Sequence, residues 1–185
     1  MVVLFEGIDT CGKTTQIELL SQRYPHFVTT KEPSERFREI LLSGKLTPRA
    51  LMLLFVADRA QHYADVIKPN CDKTVISDRG LVSGMAYALS NETLDLEWLL
   101  ELNQYALHNH LPDKIVLFTT TYETLKERLA TKTLDGIEQK GLEYLLSVQA
   151  NMLRIVRYLD VEYRLIDANE TIEAIHQQLV EFITT

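Results

Sequence analysis

Cysteine is scarce in this chain of 185 residues: Cys11 and Cys71 are the only two. Two thiols do not make a disulfide framework, and no basic-plus-apolar leader precedes the first apolar run, so the expected setting is reducing and cytoplasmic. Long hydrophobic runs are missing as well. "ALMLLFVA" at 50–57 is among the longest and is too short to span a bilayer, so no membrane partner is expected. Positive charge is in deficit, with 19 Lys and Arg against 26 Asp and Glu and a net charge of −7. Broad nucleic-acid binding draws on many Lys and Arg that neutralise backbone phosphates, so no nucleic-acid partner is expected, and any bound anion needs a local positive site. Internal repeats, low-complexity tracts and linkers are absent too. A composition of 46% hydrophobic and 24% charged residues suits an ordinary globule, and residues 1–185 are read as one domain.

Present instead are five apolar, β-rich runs: "VVLFEGI" (2–8), "HFVTT" (26–30), "KTVISD" (73–78), "KIVLFTT" (114–120) and "YRLIDA" (163–168). Segments of helical period separate them, so the class is α/β. Several runs are apolar on both faces, as in a five-stranded parallel sheet covered by helices on each side. Helix starts are legible at Thr47 with Pro48 as N-cap and N1, at Thr120 with Glu123 as a capping box, and at Asn169 before the last helix. That last helix places Ile172, Ile175, Leu179 and Phe182 on one face, and the helix near 140–159 does the same with Leu142, Leu145, Met152, Val156 and Leu159. Both stripes are expected in the core.

Gly7, four residues, then Gly12, Lys13 and Thr14 form the phosphate-loop pattern, placed between an apolar strand and a helical stretch as that pattern requires. Glycines let backbone N–H groups converge on phosphate oxygens, Lys13 brings charge to the outer phosphates, and the Thr14 hydroxyl can ligate Mg²⁺. Gly7, Thr10, Cys11, Gly12, Lys13, Thr14 and Thr15 are therefore candidate phosphate contacts for a nucleoside triphosphate. A cysteine-phosphatase loop is excluded, because Cys-x5-Arg needs Arg where Ile17 and Ser77 stand. Asp78 closes the third run, where a carboxylate beside the first strand helps hold Mg²⁺. Arg79 next to it brings a forked cation to a phosphate, or else makes a surface ion pair.

"FEGIDTCGKTTQ", "TKEPSER", "LLFVADRAQH", "SDRGLVSGMAYA", "LDGIEQKG" and "IDA" follow one another in the order and spacing of the thymidylate kinases, which the chain resembles over nearly its whole length. The resemblance implies a three-layer P-loop kinase fold, a LID at about 131–140, a homodimer, and Mg²⁺-dependent transfer of the ATP γ-phosphoryl to dTMP. It also assigns roles. Phe55 would stack on thymine and Arg59, four residues on and so on the same helical face, would bond the thymine carbonyl. Asp9 would meet the sugar hydroxyl and the Mg²⁺ surroundings, Arg79 the acceptor phosphate, and Ser83 with Gly84 the base edge. Tyr87 would crowd out a 2′-hydroxyl, and Glu32 and Pro33 would form the turn beside the acceptor phosphate, where the family often has a cis-proline.

The chain departs from the family's pattern at three places. After Pro33 stands Ser34-Glu35-Arg36 in place of the usual Arg and Gly-Gly, so Lys31, Arg36 or Arg38 must supply charge, and Arg36 is taken as the candidate. The usual Tyr after Asp-Arg is Gly80. The LID reads "LDGIE", with Gly136 where many relatives have an arginine, and Thr10 does not supply the phosphate-loop arginine of another branch. Arg128 and Lys132 are the candidates for the missing transition-state cation, beside Asp9, Lys13 and Arg79. Two rival readings stay open: a kinase for another nucleotide acceptor, and a nucleotide-binding protein without phosphotransfer. A guanine-reading Asn-Lys-x-Asp is absent, which counts against a GTPase. His108 and His110 have no third ligand at zinc-like spacing and read as a solvated helix end. Trp98 is either core or a subunit contact.

Overall fold

The computed structural model describes residues 1–130 and 140–185. The expected LID up to Gln139 lies outside them, and Lys132 and Gly136 with it. The five apolar runs form β1 (Val2–Glu6), β2 (Val28–Lys31), β3 (Val75–Asp78), β4 (Lys114–Thr119) and β5 (Glu162–Asp167). They pair in the order β2-β3-β1-β4-β5, and every pairing is parallel. Around them run α1 (Lys13–Arg23), α2 (Glu35–Leu42), α3 (Pro48–His62), α4 (Leu81–Asn91), α5 (Leu96–Ala106), α6 (Tyr122–Ala130), α7 (Leu142–Tyr158) and α8 (Ile172–Thr184). A π-helical turn, Tyr63–Ile67, continues α3.

The central strands are apolar on both faces because both faces are covered. Successive side chains of a strand point to opposite sides. Val3, Phe5, Val116 and Phe118 thus join Leu20 of α1 and Leu179 and Phe182 of α8 on one side. Leu4, Ile115 and Leu117 join Met85 of α4, Leu99 of α5 and Met152 of α7 on the other. The edge strands are more polar or more exposed, as in "VTTK" of β2 and at Tyr163 and Leu165 of β5. Parallel pairing sends all five C-terminal ends to one edge, and the chain crosses over beside β1, so a crevice opens at the loop that follows β1.

Four expectations shift in detail. The first run was expected as strand to Ile8, but β1 ends at Glu6. Gly7 turns the chain there with φ +140, and a Cβ on it would lie 2.7 Å from the carbonyl oxygen of Phe118. Thr120 does not cap α6. Its backbone exchanges two hydrogen bonds with the Gln149 amide, at 2.9 and 3.0 Å, and Thr121 Oγ1 instead accepts from the Thr124 N–H. Asn169 does not cap α8. Its amides donate to Asp167, while Thr171 Oγ1 accepts from the Ala174 N–H at 3.2 Å. Ile172 is half exposed and not core, whereas Ile175, Leu179 and Phe182 are buried as expected. Thr47 does cap α3, accepting from the Ala50 N–H with Pro48 at N1.

Candidate active site

The loop from Gly7 to Gly12 joins β1 to α1 with positive φ at Gly7, Thr10 and Gly12, and it walls a cavity of about 320 Å³ together with Lys13, Thr14, Thr15, Asp78 and Arg79. All the residues expected at a triphosphate thus meet at one place, except that Gly7 stands behind the loop. Lys13 Nζ donates to the carbonyls of Gly7 and Ile8, each at 3.0 Å, which holds the ammonium over the loop. Cys11 is buried and its thiol donates to the Ile8 carbonyl, a packing role. Asp78, at the end of β3, sits in register with Phe5 of β1 and Lys31 of β2. Its Oδ1 is buried with no hydrogen-bond partner among the described residues. A buried carboxyl oxygen of this kind suits a hard cation, and Thr14 supplies a hydroxyl in the same cavity.

Arg79 is no surface ion pair. Its backbone adopts φ 71 and its guanidinium, mostly buried, donates to Gly7 O (2.9 Å), Ser83 Oγ (3.0 Å) and Asp9 Oδ1 (2.8 Å). Behind it lies Glu6, which no sequence pattern singled out. This fully buried carboxylate accepts the backbone N–H groups of Val82 and Ser83 at the start of α4, and also the Ser83 hydroxyl. Burial pushes the Glu6 carboxyl up to about 7, against the lowering effect of Ser83, Arg79 and Arg59.

A second cavity, of about 240 Å³, adjoins the first. Of the residues expected at an acceptor, Asp9, Glu32, Pro33, Phe55 and Arg59 line it, as do Arg79, Ser83, Gly84 and Tyr87. The Glu32–Pro33 bond is cis. Arg36 is not brought here. It is well exposed and lies 3.8 Å from Asp65, and Arg38 and Lys31 line the cavity in its place. Arg59 is 1% exposed, which rules out a surface cation. One guanidinium nitrogen donates to Glu32 (2.6 Å) and to the Gly80 carbonyl (2.9 Å), and the other to Asn103. An arginine carries five N–H donors; with three used and Nε–H buried without a partner among the described residues, one Nη1–H stays available for a base carbonyl. Gly84 gives it room: a Cβ there would lie 2.9 Å from Arg59 Nη2.

The turn after Pro33 is fixed from α3. Asp58, wholly buried, accepts the Ser34 N–H and hydroxyl. Glu32 is gripped from the same helix by Arg59 and by His62, whose other ring nitrogen bonds Thr30. Burial alone would raise the Glu32 carboxyl, but Arg59 and His62 override it and hold it below its usual range. Asp58 and His62 carried no sequence signal beyond their nearness to Arg59, and Asn103 carried none, because their partners lie 24 or more residues away. Arg128 reaches the back of the loop from α6, donating to the carbonyls of Thr10 (2.9 Å) and Ala168 (2.6 Å). His110 packs against Tyr63, bonding its hydroxyl at 3.0 Å, and no cluster of three or more His, Cys, Asp or Glu that could hold a metal occurs among the described residues.

The sequence profile described as "Thymidylate kinase" matches residues 5–179 of this chain. The chain belongs to the thymidylate kinase family. It is 52% identical over 189 residues to the protein named "Thymidylate kinase" of Sulfurovum sp. (strain NBC37-1), with 99% of each chain covered. It is 47% identical to that of Campylobacter concisus (strain 13826), with 99% of this chain and 98% of the other covered. Among solved structures, that of thymidylate kinase from Ehrlichia chaffeensis superposes with a TM-score of 0.76 over 98% of this chain and 97% of the other, at 24% identity, a likeness of fold. Membership of the thymidylate kinase family makes the chain a phosphotransferase. No helix among its described residues is long and apolar enough to cross a membrane.

Proposed function

We propose that the chain transfers the γ-phosphoryl of ATP to dTMP, giving ADP and dTDP, as a single P-loop kinase domain. One observation carries this reading beyond family membership: Asp9, Thr14, Asp78 and Arg79 line both the phosphate-loop cavity and the cavity of Phe55 and Arg59, so donor and acceptor sites open onto each other. Phosphates of ATP rest on the loop amides and Lys13. Thymine stacks on Phe55 and its carbonyl takes a spare donor of Arg59, while Tyr87 bounds the sugar. The acceptor phosphate, already ionised near neutral pH, needs no strong base. What it needs is alignment and relief of charge repulsion, which Arg79, locked by Asp9, Gly7 and Ser83, is placed to give. Arg38 and Lys31 add positive charge at the same cavity.

Mg²⁺, held by Thr14 and Asp78 with Asp9 near, would screen the phosphate oxygens when bound. Arg128 is bound to two backbone carbonyls, so in this arrangement it shapes the loop, and Lys132 remains the candidate for the added cation. Leu53 on α3 and Trp98 and Tyr105 on α5 are large and exposed, residues that a homodimer would cover. Two free cysteines suit a cytoplasmic setting. The test is ADP release from Mg-ATP with dTMP, dUMP, dCMP, dGMP, thymidine or no acceptor. Release that depends on dTMP is expected. Equal release without acceptor would favour a nucleotide binder, and preference for another monophosphate would overturn the base assignment.

A further inference from the structure

Behind the acceptor cavity lies a larger one, of about 490 Å³, on the sheet face that carries Leu4 and Leu81. We propose that it binds a compact, uncharged ring compound with one hydrogen-bond-accepting edge, and that its occupant changes the affinity for the acceptor. Its volume is that of a small-molecule site. Leu4, Ile67, Leu81, Leu107, Leu111 and Pro112 give it apolar walls. Of the charges that line it, Glu32 is paired with Arg59 and His62, and Asp113 accepts the Val2 N–H at 2.6 Å, while Lys68 and the Met1 ammonium, which bonds the Lys73 carbonyl, are exposed to solvent. A charged ligand would lose its hydration among apolar walls while these cations stay in solvent, which favours a neutral one. The Nε–H of Arg59 is buried with no partner among the described residues, a donor that an accepting edge can use. The π-helical turn Tyr63–Ile67 supplies part of the wall, and such turns recur at functional sites.

Coupling follows from the shared partition. Glu32, Arg59 and Gly80 line both cavities, and the Arg59 guanidinium bonds both Glu32 and the Gly80 carbonyl. A ligand that shifts Arg59 from behind therefore shifts the donor facing the acceptor's base, and by linkage the acceptor alters that ligand's affinity by the same factor. This step rests on the assignment of the Phe55 cavity to dTMP.

Cys71, exposed and on the cavity lining, lets the site be filled covalently, whereas Cys11 is buried. The protein is treated with methyl, benzyl or sulfonatoethyl methanethiosulfonate; the Cys71 thiolate forms the mixed disulfide as methanesulfinate leaves, and intact mass verifies one adduct. The benzyl adduct is expected to change the dTMP KM by about fivefold or more with the ATP KM little moved, while the methyl and sulfonatoethyl adducts match the untreated protein. Cys71→Ser should resist all three reagents. Benzyl and methyl adducts with the same dTMP KM would overturn the site, and an equal effect from the sulfonate would overturn its uncharged class. A Phe55→Ala control separates the two readings: it should raise the dTMP KM about tenfold or more through lost stacking, and if it does not, the acceptor assignment fails and the coupling with it.

Discussion

Glu6 shows how one side chain links folding to the site. It is sealed beneath the start of α4, and its partner Ser83 also accepts from Arg79, so the carboxylate sets the arginine's position from behind. Its carboxyl is raised from 4.5 to about 7, so the unfolded chain gives up this proton before the folded one. The stability it contributes is present in full below pH 4.5 and is lost as pH rises through about 7, on the order of 3 kcal/mol when complete. Glu6→Gln should therefore cost most at low pH and flatten the decline between pH 5 and 8, as read from urea midpoints of both proteins. An unchanged slope would contradict the burial-driven shift. A second prediction concerns Gly84: Gly84→Ala puts a methyl group 2.9 Å from Arg59 Nη2, and the dTMP KM should rise about tenfold with the ATP KM nearly constant.

The residue scale also shows where reading the sequence stops. The phosphate loop, Asp78 and Arg79 are contiguous or adjoin a strand end, so spacing reveals them. Glu6 is in the quoted loop stretch, but its burial and its bond to α4 span 76 residues and leave no local mark. Arg36 and Arg38 are two residues apart on α2 and so point to opposite sides of it, and only the way that helix packs decides that Arg38 lines the cavity while Arg36 lies near Asp65.

Among the elements, the strands were legible because their runs are apolar and β-rich, whereas helix starts were legible only where no other element competes. Thr47 caps α3 as its sequence suggests, but Thr120 is claimed by Gln149 of α7 and the cap moves on to Thr121. The last helix follows the same logic, with Asn169 turned back to Asp167. Thr171→Ala should thus cost about 1 kcal/mol through the lost Ala174 bond, and Asn169→Ala should spare the cap of α8. Thermal unfolding of the two variants checks this; a larger loss for Asn169→Ala would reverse the assignment.

Over the whole molecule, the strand order explains why residues from four separate stretches converge. β1 lies at the centre with β3 on one side and β4 on the other, so the loop after β1, the end of β3 and the turn after β2 share one edge of the sheet. Helix α3 crosses the same edge and brings Phe55, Asp58, Arg59 and His62. This order was only partly readable from the sequence: a polar run such as "VTTK" suits an edge, but the apolar runs do not encode which of them is central. The consequence is a donor cavity and an acceptor cavity that meet at Asp9 and Arg79. Phosphorus NMR of the products formed from Mg-ATP and dTMP tests that arrangement most directly. Signals of ADP and dTDP growing together, with little orthophosphate, are predicted. Orthophosphate in step with ADP and no dTDP would contradict transfer between the two cavities.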